Sequence, residues 1–381
     1  MAIENVSPVH PDVSFSEPSQ HNLDSGITLL LVLGGLYGFA RNGLIDELSN
    51  FKEEFPVPQA SPGHIFNFNA HAEQFGRYNI PLPVVADYIS GNFDQYAEKR
   101  NKILSELIQA LYRDPTAELA CDIILLALGH ASELVRTAAA VSFLDVFDNI
   151  SLGMRQLLSI LMSNANNMAV EIAETALRKF ANVASVRFGP PPNAPDAPIN
   201  DVAGTSSLIV HGSHFAFVGG KIGNWWRSGG DFHTYLKANH RPNLYSLPDA
   251  YTWSGGYSDH ARNLAAIELN QWVANRGISN LDIYAHSHGG SVVMWATHLG
   301  LKVNNLFLLS CPVHKSHYLP EFSRVGQITS YQVKLDWVIL ADGGGIYFKE
   351  KNIIDHPIPK WFRSHTDTHD RHIWEKYNLG F

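Results

Sequence analysis

The pattern of apolar and polar positions changes once along the chain. Between about residue 102 and residue 186, apolar residues recur at the three- and four-residue spacing of amphipathic helices. From about residue 205 onward, short apolar runs alternate with helical stretches, a pattern typical of a parallel sheet covered by helices. We therefore predict an α-helical domain over residues 101–188 and an α/β domain over residues 207–381.

A proline-rich stretch lies between the two patterns. Within residues 189–206, five prolines stand among small and polar residues: Pro190, Pro191, Pro192, Pro195 and Pro198. Because proline lacks the backbone N–H that a helix needs, this composition predicts a semi-rigid linker. Upstream, residues 1–100 show no pattern that assigns them to a fold, apart from an apolar run at residues 27–40.

The apolar run at residues 27–40 is about 14 residues long, whereas a helix that crosses a bilayer needs roughly 18 to 20. No Lys or Arg precedes Arg41, so the basic region of a secretory signal is missing. We expect a buried or docking helix in a cytoplasmic protein. Peripheral attachment to a membrane or to a protein through this region is the alternative.

Two segments of the helical region share the spacing of their small apolar residues at a constant shift of 35 residues. They are Val135, Ala138 and Val141 in the first segment and Val170, Ala173 and Ala176 in the second. Apolar stretches at residues 123–128 and 157–161 supply a preceding helix for each segment. The region therefore resembles a short run of HEAT-like helical pairs.

The downstream region yields five candidate strands and two well-bounded helices. The candidate strands are residues 207–210, 244–247, 281–285, 306–310 and 328–333. A helix is predicted over residues 259–275, closed by Gly277, and another over residues 291–299, closed by Gly300. The expected fold is a compact sheet, mostly parallel, with helices on its faces.

The third candidate strand leads directly into a turn of small residues around a serine. The sequence there reads Ala285, His286, Ser287, His288, Gly289, Gly290. At this point the chain resembles the α/β-hydrolase superfamily, and the AHSxGG form is similar to the nucleophile elbow of small bacterial lipases and esterases. The resemblance implies that Ser287 is the nucleophile. The flanking His286 and His288 are expected to face outward on the turn.

The superfamily keeps its acid and its histidine in that order after the serine. Asp336 follows an alternating stretch at residues 325–333 and is our candidate acid, with Asp342 as the alternative. A histidine-dense segment near residues 361–374 supplies the base, for which we choose His365 over His369. In this interpretation His365 removes the proton of Ser287, and Asp336 fixes the tautomer of the imidazole.

An acyl-transfer enzyme also needs two backbone N–H groups that bind the oxyanion of the tetrahedral intermediate. The resemblance implies that one donor is His288, the residue after the nucleophile. The first candidate strand is followed by His211 and Gly212, which match the oxyanion loop of many lipases. The second donor is therefore expected to be the backbone N–H of Ser213.

Two other kinds of chemistry are less well supported by the residues of this region. The loop that holds His365 and His369 could bind a metal, but no third and fourth ligands stand at a recognisable spacing. We expect neither a metal nor a cofactor. Cys311 follows an apolar run without an elbow glycine and is expected to be a buried thiol.

Composition narrows the class of protein. Of the 381 residues, 45% are hydrophobic and 17% are charged, which is typical of a globular chain. A net charge of −8 without a long basic run argues against a nucleic-acid partner. The two cysteines, Cys121 and Cys311, lie in different predicted domains and imply no disulfide framework.

The interpretation that unites these features is a serine hydrolase that cleaves small-molecule or lipid carboxylic esters. Aromatic residues near positions 215–235 and 253–257 are expected to wall an apolar pocket or to seal the sheet. The alternatives are a phospholipase that acts at membranes, a helical-repeat binding protein with an inactive hydrolase-like domain, and a serine protease or amidase.

Overall fold

The computed structural model describes residues 20–41, 66–80, 96–162, 167–181, 205–213, 224–358 and 364–380. The chain divides into two compact units. The helical unit comprises Met1–Phe180 and Leu340–Gly344, and the sheet unit comprises Ala181–Ile339 and Gly345–Phe381. The proline-rich linker predicted at residues 189–206 lies outside the described residues up to position 204.

The described part of the helical unit consists mainly of helices. They are α1 (Gln20–Arg41), α2 (Phe68–Phe75), α3 (Ala97–Arg113), α4 (Ala117–Ala127), α5 (Glu133–Val146), α6 (Ile150–Met162) and α7 (Asn167–Ala181). The two segments with matching small-residue spacing lie in α5 and α7. Their HEAT-like pairing remains a prediction.

The apolar run at residues 27–40 lies within α1, and residues 24–38 of this helix are buried. Helix α1 packs closely against α5. The hydroxyl of Ser142 donates a hydrogen bond of 2.6 Å to the carbonyl oxygen of Leu30, and a Cβ atom on Gly34 would lie 2.8 Å from the Cα atom of Ser142. In the part of the chain that the structure describes, no helix is both long and apolar enough to cross a membrane.

The sheet unit is built on five parallel strands. They are β1 (Ser206–Val210), β2 (Leu281–His286), β3 (Val303–Leu309), β4 (Val325–Val333) and β5 (Ile354–Ile358), and each pairs with the strand that follows it along the chain. The helices of this region are α8 (Asp231–Asn239), α9 (Asp259–Asn275), α10 (His288–His298), α11 (Trp337–Asp342) and α12 (Arg371–Tyr377). The protein is therefore a mixed α/β protein whose parallel sheet carries helices and follows a helical region.

Both faces of the sheet are buried, because successive residues of a strand point to opposite faces. On one face, Leu208 of β1 and Ile283 of β2 share an apolar cluster with residues of α9 and α10. On the other face, Ile209 and Tyr284 share a second cluster with residues of α8 and α12. Burial on two sides explains why these strands read as nearly continuous apolar runs.

Two details of the predicted sheet are wrong. Residues 244–247 do not form a strand, since only Leu244 bridges to Ser207 and the chain then turns at Ser246. The edge strand β5 was not predicted from the sequence. It contains Pro357, and only its last residue, Ile358, is buried, so it lacks the apolar run that marks the inner strands.

We predict that Gly34→Ala destabilises the protein although alanine is the better helix former. The new methyl group would meet the backbone of α5 at 2.8 Å, and we expect a net loss of about 1 to 2 kcal/mol in the free energy of unfolding. The matched variant is Gly38→Ala, whose methyl group would come nearest to the carboxylate of Asp145, a side chain and not a backbone atom. Thermal unfolding should show a clearly larger loss for Gly34→Ala, and equal losses would contradict this account of the contact.

Candidate active site

The turn between β2 and α10 holds Ser287 in an unusual backbone conformation. Strand β2 ends at His286 and α10 begins at His288. Between them Ser287 has φ 53° and ψ −134°, a region that residues with a side chain rarely adopt, at a cost of about 1 to 3 kcal/mol. This is the strained strand-to-helix turn that the sequence predicts.

Three glycines around Ser287 lie where neighbouring atoms leave no room for a side chain. A Cβ atom on Gly212 would lie 2.6 Å from the Cβ of Ser287, and one on Gly289 would lie 2.5 Å from the carbonyl oxygen of Val210. A Cβ on Gly290 would lie 2.2 Å from the Sγ of Cys311. The turn therefore packs tightly against the ends of β1 and β3, and Cys311 is a buried thiol.

Asp336 and His365 lie in direct contact. The Nδ1 of His365 donates a hydrogen bond of 2.7 Å to Oδ2 of Asp336. Oδ1 of the same carboxylate accepts the backbone N–H groups of Val338 and Ile339 at 3.1 and 3.2 Å, so Asp336 also caps the start of α11. Because Nδ1 carries the proton, the Nε2 of His365 is the nitrogen that can accept one.

The loop that carries His365 is anchored on both sides. His365 begins a short 3-10 turn, His365–His369. Within this turn, the hydroxyl of Thr368 donates a hydrogen bond to that of Ser310 at 3.2 Å, directly after β3. The indole N–H of Trp374 in α12 donates to the carbonyl oxygen of Thr368 at 2.7 Å. Side chains from two other elements thus fix the position of the candidate base.

The alternative base, His369, has different surroundings. Its ring stacks on Trp225 with centroids 3.9 Å apart. Burial, and then the neighbouring charge of His365, lower the pKa of His369 to about 3. The alternative acid, Asp342, is the last residue of α11. The structure therefore brings together Asp336 and His365, the pair that the sequence analysis preferred.

The two candidate oxyanion donors lie in the loop after β1 and at the start of α10. The hydroxyl of Ser213 lies 3.1 Å from Nδ1 of His288, and Gly212 packs directly on Ser287. The ring of Tyr257 meets that of His288 edge-on, with centroids 5.0 Å apart. Ser213 and His288 are thus adjacent beside the turn, while their role as backbone donors remains a prediction.

The expectation that His286 and His288 face outward is wrong. Only 7% of His286 and 4% of His288 is exposed to solvent. His286 ends a strand whose six residues are all buried, and its ring lies 4.7 Å from the rings of both His365 and His369. A histidine continuing such a strand was the signal in the sequence that could have revealed its burial.

Several of the aromatic residues near the turn are buried against it. The ring of His211 lies 4.4 Å from that of Trp226 and 5.8 Å from that of Trp253, and the indole N–H of Trp253 donates to the carbonyl oxygen of His211 at 2.8 Å. Phe215 and Phe217, which the sequence also placed in this wall, lie outside the described residues. The described tryptophans support the loop after β1.

The two histidines that could bind a metal, and Asp370 in the same loop, have contacts within the protein. His365 binds Asp336, and His369 stacks on Trp225. Asp370 accepts the backbone N–H of His372 at 2.8 Å, at the start of α12.

Comparison with known proteins adds no relative. No protein-family model matches the chain, and a search of curated proteins finds none that matches it. A functional assignment therefore depends on the residues and geometry described above.

We predict that His369 makes the protein less stable in acid. The folded protein keeps this imidazole neutral down to about pH 3, whereas the unfolded chain protonates it below its ordinary pKa near 6.5. The free energy of unfolding should therefore fall as the pH drops from about 6.5 toward 3, and His369 should contribute up to about 1.4 kcal/mol of this loss per pH unit. His369→Phe, which keeps a ring beside Trp225, should show a shallower fall.

Denaturant unfolding at several pH values between 7 and 4.5 measures this difference. Comparison of the two proteins cancels the other titrating groups, including His130, whose pKa burial lowers to about 4. Parallel curves for the wild type and His369→Phe would show that His369 is protonated in the folded state or is accessible to water.

Proposed function

We propose that the protein is a serine hydrolase that cleaves small-molecule or lipid carboxylic esters. The observation that carries the proposal is the buried hydrogen bond of 2.7 Å between His365 and Asp336, in a unit whose strained turn presents Ser287. A histidine whose Nδ1 donates to an aspartate can act as a base through its Nε2. A serine needs such a base because its hydroxyl is barely ionised at neutral pH.

In the proposed reaction, the Oγ of Ser287 attacks the ester carbonyl carbon while Nε2 of His365 takes the hydroxyl proton. The tetrahedral intermediate then collapses, the bond to the leaving oxygen breaks, and His365 returns the proton to that alkoxide. Water repeats the sequence on the acyl-enzyme, releasing the carboxylic acid and restoring Ser287. Atoms and protons balance without a metal or a redox partner.

The surrounding groups lower the barriers of these steps. Asp336 stabilises the imidazolium that forms on His365 and holds the ring in the required tautomer. The backbone N–H groups of Ser213 and His288 receive the negative charge of the carbonyl oxygen, at about 3 kcal/mol of barrier each. The tight packing of Gly212 on Ser287 brings the loop of Ser213 close to the nucleophile.

We predict that a fluorophosphonate probe forms one covalent adduct, on Ser287, because such probes react with serines activated by a histidine. Intact mass and peptide mapping would locate the adduct, and Ser287→Ala should abolish it. The matched control is Ser291→Ala, one turn along α10, where the hydroxyl is buried and has no hydrogen-bond partner among the described residues. This control should label like the wild type.

Absence of an adduct on the folded wild type at mildly alkaline pH would contradict the proposal. An adduct on a different serine would assign the nucleophile elsewhere. In the first case, the alternative of a helical-repeat binding protein with an inactive hydrolase-like domain would lead.

Substitution of the candidate acids and bases should distinguish Asp336 and His365 from the alternatives Asp342 and His369 by their effect on activity. We expect His365→Gln and Asp336→Asn to lower kcat on a short p-nitrophenyl ester by about 10⁴, as loss of the correct tautomer does in comparable triads. His369→Gln and Asp342→Asn should lose less than about tenfold, because neither residue contributes to the base.

Steady-state kinetics of the four variants, with their thermal unfolding temperatures, would test this ranking. If His365→Gln keeps full activity, the base lies elsewhere in the protein. If His369→Gln is the inactive variant, the two histidines have exchanged roles.

A further inference from the structure

His286, the residue before the nucleophile, lies between the base and the loop after β1. Its Nε2 is 3.3 Å from the carbonyl oxygen of His365, and its ring centroid is 4.7 Å from that of His365. On its other side, a Cβ on Gly212 would lie 3.2 Å from Nδ1 of His286. One side chain thus contacts both loops that flank Ser287.

The hydrogen bond fixes the tautomer of His286. A carbonyl oxygen can only accept a proton, so Nε2 of His286 must be the donor. Burial, followed by the charges of His365 and His369, lowers the pKa of His286 well below its usual range. The ring is therefore neutral, with N–H at Nε2 and a lone pair at Nδ1 on the side of Gly212.

The ring of His286 is also held in place by its neighbours. It meets Trp225 edge-on with centroids 5.3 Å apart and His369 with centroids 4.7 Å apart. Trp225 itself stacks on His369 at 3.9 Å. A side chain wedged among aromatic rings has few rotamers available, so a group hydrogen-bonded to it is held in the same place.

We propose that His286 is a positioning residue that sets the placement of the catalytic base. Its Nε2–H group holds the backbone of His365 by a hydrogen bond, and its ring keeps the loop of His365 at a fixed distance from Gly212. The inference rests on the proposed function, in which His365 is the base and the loop of Gly212 carries an oxyanion donor. His286 does not touch the reacting atoms in this account. It acts through His365.

Three variants separate positioning from simple space filling. His286→Phe keeps an aromatic ring of similar shape but has no donor. His286→Gln keeps an N–H group at about the position of Nε2. The matched control is His233→Phe on α8, since His233 is also buried and its Nε2 also lies 3.2 Å from a carbonyl oxygen, that of Tyr245.

We expect His286→Phe to lower kcat by about 100-fold with little change in KM, because a shift of about 1 Å in a reacting group has an effect of this size. His286→Gln should recover most of the loss, and His233→Phe should keep the wild-type kcat. Equal losses in His286→Phe and His286→Gln would overturn the inference, as would a wild-type kcat in His286→Phe.

A spectroscopic readout does not depend on turnover. The proton between Nδ1 of His365 and Asp336 is expected to give a strongly downfield NMR resonance. This line should move or broaden in His286→Phe but not in His233→Phe. An unchanged line overturns the inference whether or not the protein is an enzyme. Failure of the proposed function would appear separately, as a folded wild type that neither labels nor turns over ester.

If His286→Phe does not fold, His286→Asn takes its place. The amide of asparagine matches the position of Nδ1 and is too short to reach the carbonyl oxygen of His365. A kcat loss in His286→Asn that His286→Gln does not share would support the inference. Equal activity in the two amide variants would overturn it.

Discussion

The structure of the candidate site depends on one steric constraint, the close packing of three glycines at the turn after β2. Gly212, Gly289 and Gly290 lie where a methyl group would come within 2.6 Å of another atom. This contact fixes the turn against the ends of β1 and β3, and it holds Ser287 at a φ of 53° that costs about 1 to 3 kcal/mol in isolation. The packing of the sheet on both faces opposes relaxation of that strain. A strained serine is thus a consequence of how closely the neighbouring strands can be packed.

The parallel sheet explains how residues far apart in the sequence meet at this turn. The carboxyl ends of parallel strands lie at one edge of a sheet, where ligands bind in open α/β folds. Ser287 follows β2, Ser310 follows β3, Asp336 comes shortly after β4 and His365 follows β5. The register aligns these ends, so a hydrogen bond between Asp336 and His365 needs only short loops. The same edge receives the loop after β1 that carries Ser213.

Much of the fold and part of the site could be predicted from the sequence, because their signals are local. Helix α9 begins after Ser258, whose side chain caps it, and ends before Gly277 at positive φ. A single residue therefore marks each end of this helix in the sequence. The turn at Ser287 is equally local. The choice between His365 and His369 is not, because both lie in one loop and only the contact with Asp336 distinguishes them. The edge strand β5 was missed for a related reason, since half-exposed edge positions do not require an apolar run.

The burial of His286 shows a further limit of local patterns. A histidine beside a turn is polar, and hydropathy alone places it in solvent, although its neutral form packs well among aromatic rings.

The strand order adds a kinetic consequence. Each strand pairs with the one before it in the chain, but the paired residues lie far apart in sequence, as Ser206 and Leu281 do, so each pairing closes a long stretch of chain. His365 follows the fifth strand, so we expect its hydrogen bond with Asp336 to form only once that strand has paired with β4. That hydrogen bond would then report completion of the sheet, because it joins the loops that follow the last two strands.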